Sequence, residues 1–385
     1  MMEPAPCPSC LCKRITAVAL LAVGLALAAG CAAHPADRAG APPLYLTVTR
    51  QANRCVVRHP GPEGVLFSSL DPREAIEWAL AHSRIAVLAG GRFRVTDGVR
   101  IPRSGVALVI GPDASLEAAE NATLTGVTEG HGEYRPLIHV EGKDHVAVLN
   151  FGTLRAGPRG TCIMLNGRSG GDLGIDGGLL FSSGVLTDCG DAIWVVDSTN
   201  VHIPFAAAAG YRNALLAIEG SEDVRIGVAA GLAGSIAREN ETIDLNSYCR
   251  RIDIEHLIGT SRSEQVLDVN NSTDVTVGEI VGYTGGDSFR DALVSIIHYG
   301  PDARRLTQRP RIPESENIRV RAQRIAETPI RDWAIETDVQ GLPDALPHLR
   351  VTVRLIGNPA NAPVTVLART YRIDLEDAPT VAVEE

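Results

Sequence analysis

Short apolar alternations recur through the middle of the chain at a nearly constant step. Glu241-Thr242-Ile243-Asp244-Leu245-Asn246 and Gln265-Val266-Leu267-Asp268-Val269-Asn270 are near-copies, 24 residues apart from Asp244 to Asp268. Each is followed by a second alternation, Arg251-Ile252-Asp253-Ile254 and Asp274-Val275-Thr276-Val277, with a step of 23 from Ile252 to Val275. Short strands at a period of about two dozen residues predict a coiled β-solenoid. Stacking one coil on the next sets Ile243 over Leu267, Leu245 over Val269, Asp244 over Asp268 and Asn246 over Asn270. Side chains alternate faces along a strand, so if the aliphatics point inward the Asp and Asn point outward together.

Other coils can be laid on this pair. Ile138-His139-Val140, Ile163-Met164-Leu165, Ile193-Trp194-Val195 and Leu216-Ala217-Ile218 precede it as in-out-in triplets, and Val294-Ser295-Ile296 continues the series. The outward column reads His139, Met164, Trp194, Ala217, Asp244, Asp268, Ser295. Two residues on, a second column reads Glu141, Asn166, Val196, Glu219, Asn246, Asn270. A register error of one residue would swap faces.

Upstream, Tyr45 to Val48 and Val65 to Phe67 read as strands. Asp71-Pro72-Arg73-Glu74 reads as an N-cap with Pro first and Glu third in a helix. Ile76, Ala79 and Leu80 follow at helical spacing. A solenoid's open end exposes apolar side chains, and a helix here suits that end. Then come Ile85 to Leu88, a Gly90-Gly91 turn, Phe93 to Val95, and Val106 to Ile110. The Gly-Gly-x-aromatic step, Val99-Arg100-Ile101-Pro102-Arg103-Ser104-Gly105-Val106 and Ile110-Gly111-Pro112-Asp113-Ala114-Ser115-Leu116 resemble the opening of the pectin-lyase-like superfamily. The resemblance covers about residues 70 to 356. It implies an all-β fold, a single-stranded right-handed parallel β-helix with an N-terminal capping helix. It says little about reaction, because the superfamily includes lyases, hydrolases, epimerases and non-catalytic fibres. The arginine signatures of pectate lyases and the paired-Asp and Gly-His-Gly signatures of polygalacturonases are not found.

At the amino terminus, Lys13 and Arg14 precede an apolar run from Ile15 to Ala29, a signal-peptide length that is short for a membrane span. Leu27-Ala28-Ala29-Gly30-Cys31 resembles a bacterial lipobox, with Ala28 where Leu is commonest. The resemblance implies lipidation of Cys31, and Ala32 after it fits sorting to an outer membrane; ordinary cleavage with Cys31 unmodified is the alternative. The chain divides on this reading into a lipoprotein signal peptide (1–30), a tether (31–43), N-terminal strands and capping helix (44–84), a parallel β-helix (85–356), and closing strands with an acidic tail (357–385). The predicted location is exported and anchored in the outer membrane, facing periplasm or surface, with the lipid as the only membrane contact.

Composition supports strands and turns over a helical bundle: 38 Gly, 4% aromatic and 21% charged residues. The net charge of −10 becomes −11 once residues 1–30, with Lys13, Arg14 and Glu3, are removed. That argues against a nucleic-acid partner, which needs a basic footprint. Cys7, Cys10 and Cys12 fall before the cleavage point. Cys55, Cys162, Cys189 and Cys249 remain, as disulfides or as buried thiols; Cys162 and Cys189 are one coil apart and predicted to stack.

The sharpest chemistry is Asp244 with Asp268. Paired strands lie about 4.7–4.9 Å apart, so both carboxylates cannot ionise cheaply. A shared proton gives a glycosidase pair, and about 5–5.5 Å corresponds to retention of configuration. A shared calcium ion would instead suit a lyase. The bland alternative is a structural Asp and Asn ladder. Trp194 is a candidate sugar platform or a surface Trp under a loop; Glu219 is a second acid or base, or a solvated turn residue. Asn246 and Asn270 are candidate substrate contacts or turn stabilisers. Arg262, Tyr248, Arg290 and His298 are the candidates nearest the ladder for a lyase base, and Arg262, Arg290 and His298 are also candidate substrate contacts. Asp287 and Asp291 flank Arg290 as turn residues or metal ligands. Between His298 and Glu316 a loop carries Arg304, Arg305, Arg309 and Arg311, and the 43 residues from Val275 to Ile318 suggest nearly two coils. The predicted function is a polysaccharide-active hydrolase or lyase; the rival is a non-catalytic glycan-binding or structural envelope lipoprotein.

Overall fold

The computed structural model describes residues 43–59, 64–124, 135–167, 174–233, 241–246, 248–261 and 266–284, and beyond these the backbone of six strands between 294 and 378. The signal segment, Cys31, the tether, Arg262, Asp287, Arg290, Asp291, the arginine loop and the tail beyond 378 lie outside the described residues. His298 is described only as strand backbone.

Strands one period apart pair in parallel. One sheet takes, in chain order, Val99–Arg100, Arg135–Glu141, Gly160–Asn166, Ile193–Val196, Ala214–Glu219, Glu241–Asn246, Leu267–Asn270, Val294–Tyr299 and Asp332–Gln340, with Val351–Ile356 added antiparallel at the end. Its triplets face one another: Ile163 opposes Ile138 and Ile193, Leu216 opposes Ile193 and Ile243, and Leu267 opposes Ile243 and Val294. The long strands Ser198–Tyr211, Glu222–Ala233, Arg250–Ser261 and Thr273–Thr284 stack likewise in parallel, with Ile252 opposite Val275.

Burial explains why this pattern folds so. The flanking members of each triplet, from Ile138 and Val140 to Leu267 and Val269, join one core that runs from Leu46 to Ile280. The central members turn the other way, and Met164, Trp194 and Ala217 form a separate cluster with Val196 and Ala214. Alternation with a period of two thus builds two different faces from one strand. Each full burial of an aliphatic side chain contributes about 1.5–3 kcal/mol, so inward positions are strongly selected for register.

Helix α1, Pro72–His82, begins at Asp71, whose Oδ1 accepts from Arg73 N at 2.9 Å. Its buried face is Ala75, Ile76, Ala79 and Leu80, packed on the strands Tyr45–Gln51, Arg54–Arg58, Val65–Ser69 and Ile85–Val95.

Two expectations are corrected here. The Gly90-Gly91 pair does not end a strand. Ile85–Val95 is continuous: its first half pairs with Ala107–Ile110 and its second with Ala114–Ala118. Gly91 has φ +100°, and a Cβ there would lie 2.6 Å from Cβ of Arg50, so only glycine lets the strand pass between sheets at this point. The 43 residues from Val275 to Ile318 are also not two coils, because Val275 pairs directly with Ile318. Of the residues between them, the described strand Val294–Tyr299 pairs in the other sheet, so the longer spacing adds no coil.

At one corner the backbone repeats a left-handed residue in successive coils. His145, Gly177, Asn200, Asp223, Arg251 and Asp274 have φ between 54° and 78°, and they fall at equivalent places in the strand registers. Asx and Gly residues take this conformation at the least steric cost.

Candidate functional site

Asp244 and Asp268 are direct partners on adjacent parallel strands. Each carboxylate is held within its own strand by the Asn two residues on: Asn246 Nδ2 donates to Asp244 Oδ2 at 2.7 Å, and Asn270 Nδ2 to Asp268 Oδ2 at 2.8 Å. Residues i and i+2 share a face, so all four polar groups form one block on the side away from the aliphatic core. Asn270 Nδ2 also reaches Asn246 Oδ1 at 3.4 Å, tying the two coils together. The block is covered: Asp244 is 8% exposed and Asp268 6%. The expected open wall is therefore a buried polar layer.

Glu219 stands one coil earlier, opposite Asn246. It is not a solvated turn residue, being 2% exposed within the strand Ala214–Glu219. Trp194 is not an exposed platform either. At 3% exposure it packs with Met164, Val196, Ala214 and Ala217. The outer face of this sheet thus has an apolar stretch that grades into an acidic one, both shielded from solvent. Buried carboxylates are costly unless hydrogen-bonded or given a task, which marks this stretch out. Tyr248 follows the block in the left-handed region at φ 71°, with its amide donating to Asn271 O at 3.0 Å.

Calcium takes 6–8 oxygen ligands. Among the described residues no group of three or more His, Cys, Asp or Glu is placed to hold a metal. Amide donors, which repel cations, already occupy Oδ2 of both aspartates. The described residues do not fit such an ion, and no chemical step is assigned to one.

Cys55, Cys162, Cys189 and Cys249 are buried free thiols. Contact with Cys162 and burial raise the Cys189 thiol. Burial, with Glu219 and Asp244 adding, pushes Cys249 up to about 12. Thiols held protonated in this way are poor nucleophiles.

Two groups carried no role on sequence grounds. His139, in the same outward column, lines a cavity of about 400 Å³ with Arg100, Glu141 and Lys143. It is 7% exposed, its Nε2 has no hydrogen-bond partner among the described residues, and burial lowers its pKa. Its only sequence signal was a polar centre between Ile138 and Val140. Asp191 is buried and accepts from Asn213 Nδ2 at 2.7 Å and Ala214 N at 3.2 Å, yet burial raises its pKa to about 6.

No protein-family model matches the sequence, and no curated protein matches it. Among solved structures it is similar to a candidate glycosyl hydrolase from Parabacteroides merdae, at 13% identity over 61% of this chain and 91% of that one, with a TM-score of 0.23. It is similar to an endo-xylogalacturonan hydrolase from Aspergillus tubingensis, at 12% identity over 77% of this chain and 78% of that one, with a TM-score of 0.34. A Geobacillus virus E2 protein, ORF18, matches at 12% identity over 77% of this chain and 63% of that one, with a TM-score of 0.29. At these scores the likenesses carry no argument about chemistry.

Proposed function

We propose that the chain is a carbohydrate-active enzyme of the cell envelope, built as one right-handed parallel β-helix with α1 closing its first coil. One observation supports this reading: Asp244 and Asp268 are exact register partners at the centre of a polar block on the outer face. Adjacent strands bring the two groups within about 4.7–4.9 Å, near the separation of about 5–5.5 Å used for hydrolysis with retention. The flanking amides orient each carboxylate through its Oδ2. Two carboxylates so close favour one shared proton, hence one acid and one nucleophile. Hydrolysis is the favoured reaction over elimination, and Glu219 is a supporting carboxylate one coil away.

A second reading has its own observation. The aspartates and asparagines bond to each other and are nearly covered, as a purely structural ladder would be. Replacing Asp244 and Asp268 singly with Asn separates the two. The enzyme reading expects turnover of a polysaccharide screen, read as reducing ends, to fall at least about 100-fold with the fold intact. Unchanged turnover in both variants establishes the ladder reading. An unsaturated product absorbing in the ultraviolet would replace hydrolysis by elimination.

The anchor is part of the same proposal, with Cys31 as the lipidated residue. Cys31→Ser should move the protein from the membrane fraction to the soluble one and abolish fatty-acid labelling. Membrane retention of the variant would sink the anchor alone.

A further inference from the structure

A cavity of about 750 Å³ lies well away from Asp244 and Asp268 in sequence, along the earlier coils, and Arg92, Arg94, Arg135, Arg155, Arg159 and Arg212 line it. Among the described residues, Glu117, Glu120 and Asp188 are its acidic lining residues, so the described lining carries a net charge of +3 in a chain of net charge −10. Its floor is a ladder: Arg94 pairs with Glu117, and Glu117 with Arg155, across three neighbouring parallel strands. Phe93, Leu116 and Leu154, one residue back in each strand, are buried in the core and fix the outward aim of the ladder.

Part of the charge is already balanced. Arg92 binds Glu117 through Nε at 2.7 Å and through Nη2; burial raises the Glu117 carboxyl, but Arg92, Ser115 and Arg94 together hold it below its usual range. Arg155 binds Asp188 at 2.8 Å. Arg159 and Arg212 have no side-chain hydrogen bond or ion pair among the described residues. Both sit on stacked turns of successive coils: Gly160 N donates to Gly157 O, Gly190 N to Gly160 O, and Arg212 N to Cys189 O. Backbone hydrogen bonds thus present two cations at the rim from rigid corners.

We propose that this cleft binds a polyanionic glycan segment, with carboxylate or sulfate groups as the recognised charges. Guanidinium groups are always charged, and their fork matches a planar carboxylate or a sulfate through two parallel hydrogen bonds. Arg94 and Arg155 stand two strands apart, about 9–10 Å. With Glu117 between them, the floor favours a ligand whose charges are spaced along a chain over one with a continuous charge. Among the described residues no aromatic side chain lines the cleft as a stacking platform for nucleic-acid bases. The glycan identity of the ligand rests on the proposed function, whereas the cleft is independent of whether Asp244 and Asp268 are catalytic.

The test uses the full mature chain and titrates polygalacturonate oligomers, dextran sulfate, neutral dextran and single-stranded RNA by calorimetry. Binding of either anionic glycan, none of neutral dextran, and weakening with added salt are expected. The stronger of the two anionic arms identifies carboxylate or sulfate as the preferred group. Arg159→Ser with Arg212→Ser should weaken that binding tenfold or more, while Arg225→Ser on a distant strand and Asp268→Asn leave it unchanged. Equal affinity in the parent and the double variant, tighter binding of RNA than of either glycan, or no binding of either anionic glycan would overturn the proposal. Retained binding in an inactive Asp268→Asn protein would show the two sites to be separate.

Discussion

Asn270 donates through one amide nitrogen both to Asp268 in its own strand and to Asn246 in the strand beside it, at 2.8 and 3.4 Å. The same side chain therefore orients a carboxylate and staples two coils. A buried carboxylate that loses a donor keeps its desolvation cost without the compensating bond.

Asn270→Leu should accordingly lower stability by about 1–3 kcal/mol, read by urea denaturation. The unchanged slope of the unfolding line would show that the fold itself is retained. A variant as stable as the parent would mean that the Asp268 carboxylate gains nothing from this amide.

Trp194 belongs to an outer apolar cluster, and truncating a buried Trp costs about 3–5 kcal/mol. Trp194→Ala should show that loss in thermal or urea melts. A variant with native stability and a raised KM would instead restore the sugar-platform role.

Asp191 and His139 should pull the pH dependence of stability in opposite directions. Asp191 in the folded chain keeps its proton up to about 6, against 3.8 ordinarily. Its contribution is whole below pH 3.8 and is lost as pH rises through 6, about 3 kcal/mol in all. Asp191→Asn should therefore gain in melting temperature on the parent between pH 4 and pH 7. His139 has a lowered pKa, so the folded chain binds fewer protons than the unfolded one below pH 6.5. That contribution is present above 6.5 and is lost as pH falls through the depressed value. His139→Gln should gain on the parent between pH 7.5 and pH 5. Parallel melting curves for parent and variant would refute either assignment.

The strand register was legible because each triplet carries its own in-out-in signature, and two coils repeat it almost letter for letter. The pairing of Ile243 with Leu267, and of Asp244 with Asp268, needs nothing more than that alternation. Burial on the outer side was not legible. Alternation fixes only the face that Trp194, Glu219 or Asp268 takes, not whether that face meets water. Gly90-Gly91 looked like a turn because two glycines usually make one; here they let one strand change partners. The arginine cleft left no local signal, since its residues are scattered from Arg92 to Arg212 and meet only once the coils stack.

The corner at which His145, Gly177, Asn200, Asp223, Arg251 and Asp274 each adopt the left-handed conformation gives these six successive repeats the same junction. A segment cut from one such junction to the next starts and finishes with matching backbone direction. Whole turns can therefore be duplicated or deleted in a lineage without inventing a new connector, much as a spiral staircase is lengthened by adding steps. The number of repeats is thereby open to change by gene duplication, while changes of a fraction of a turn are penalised at the next corner.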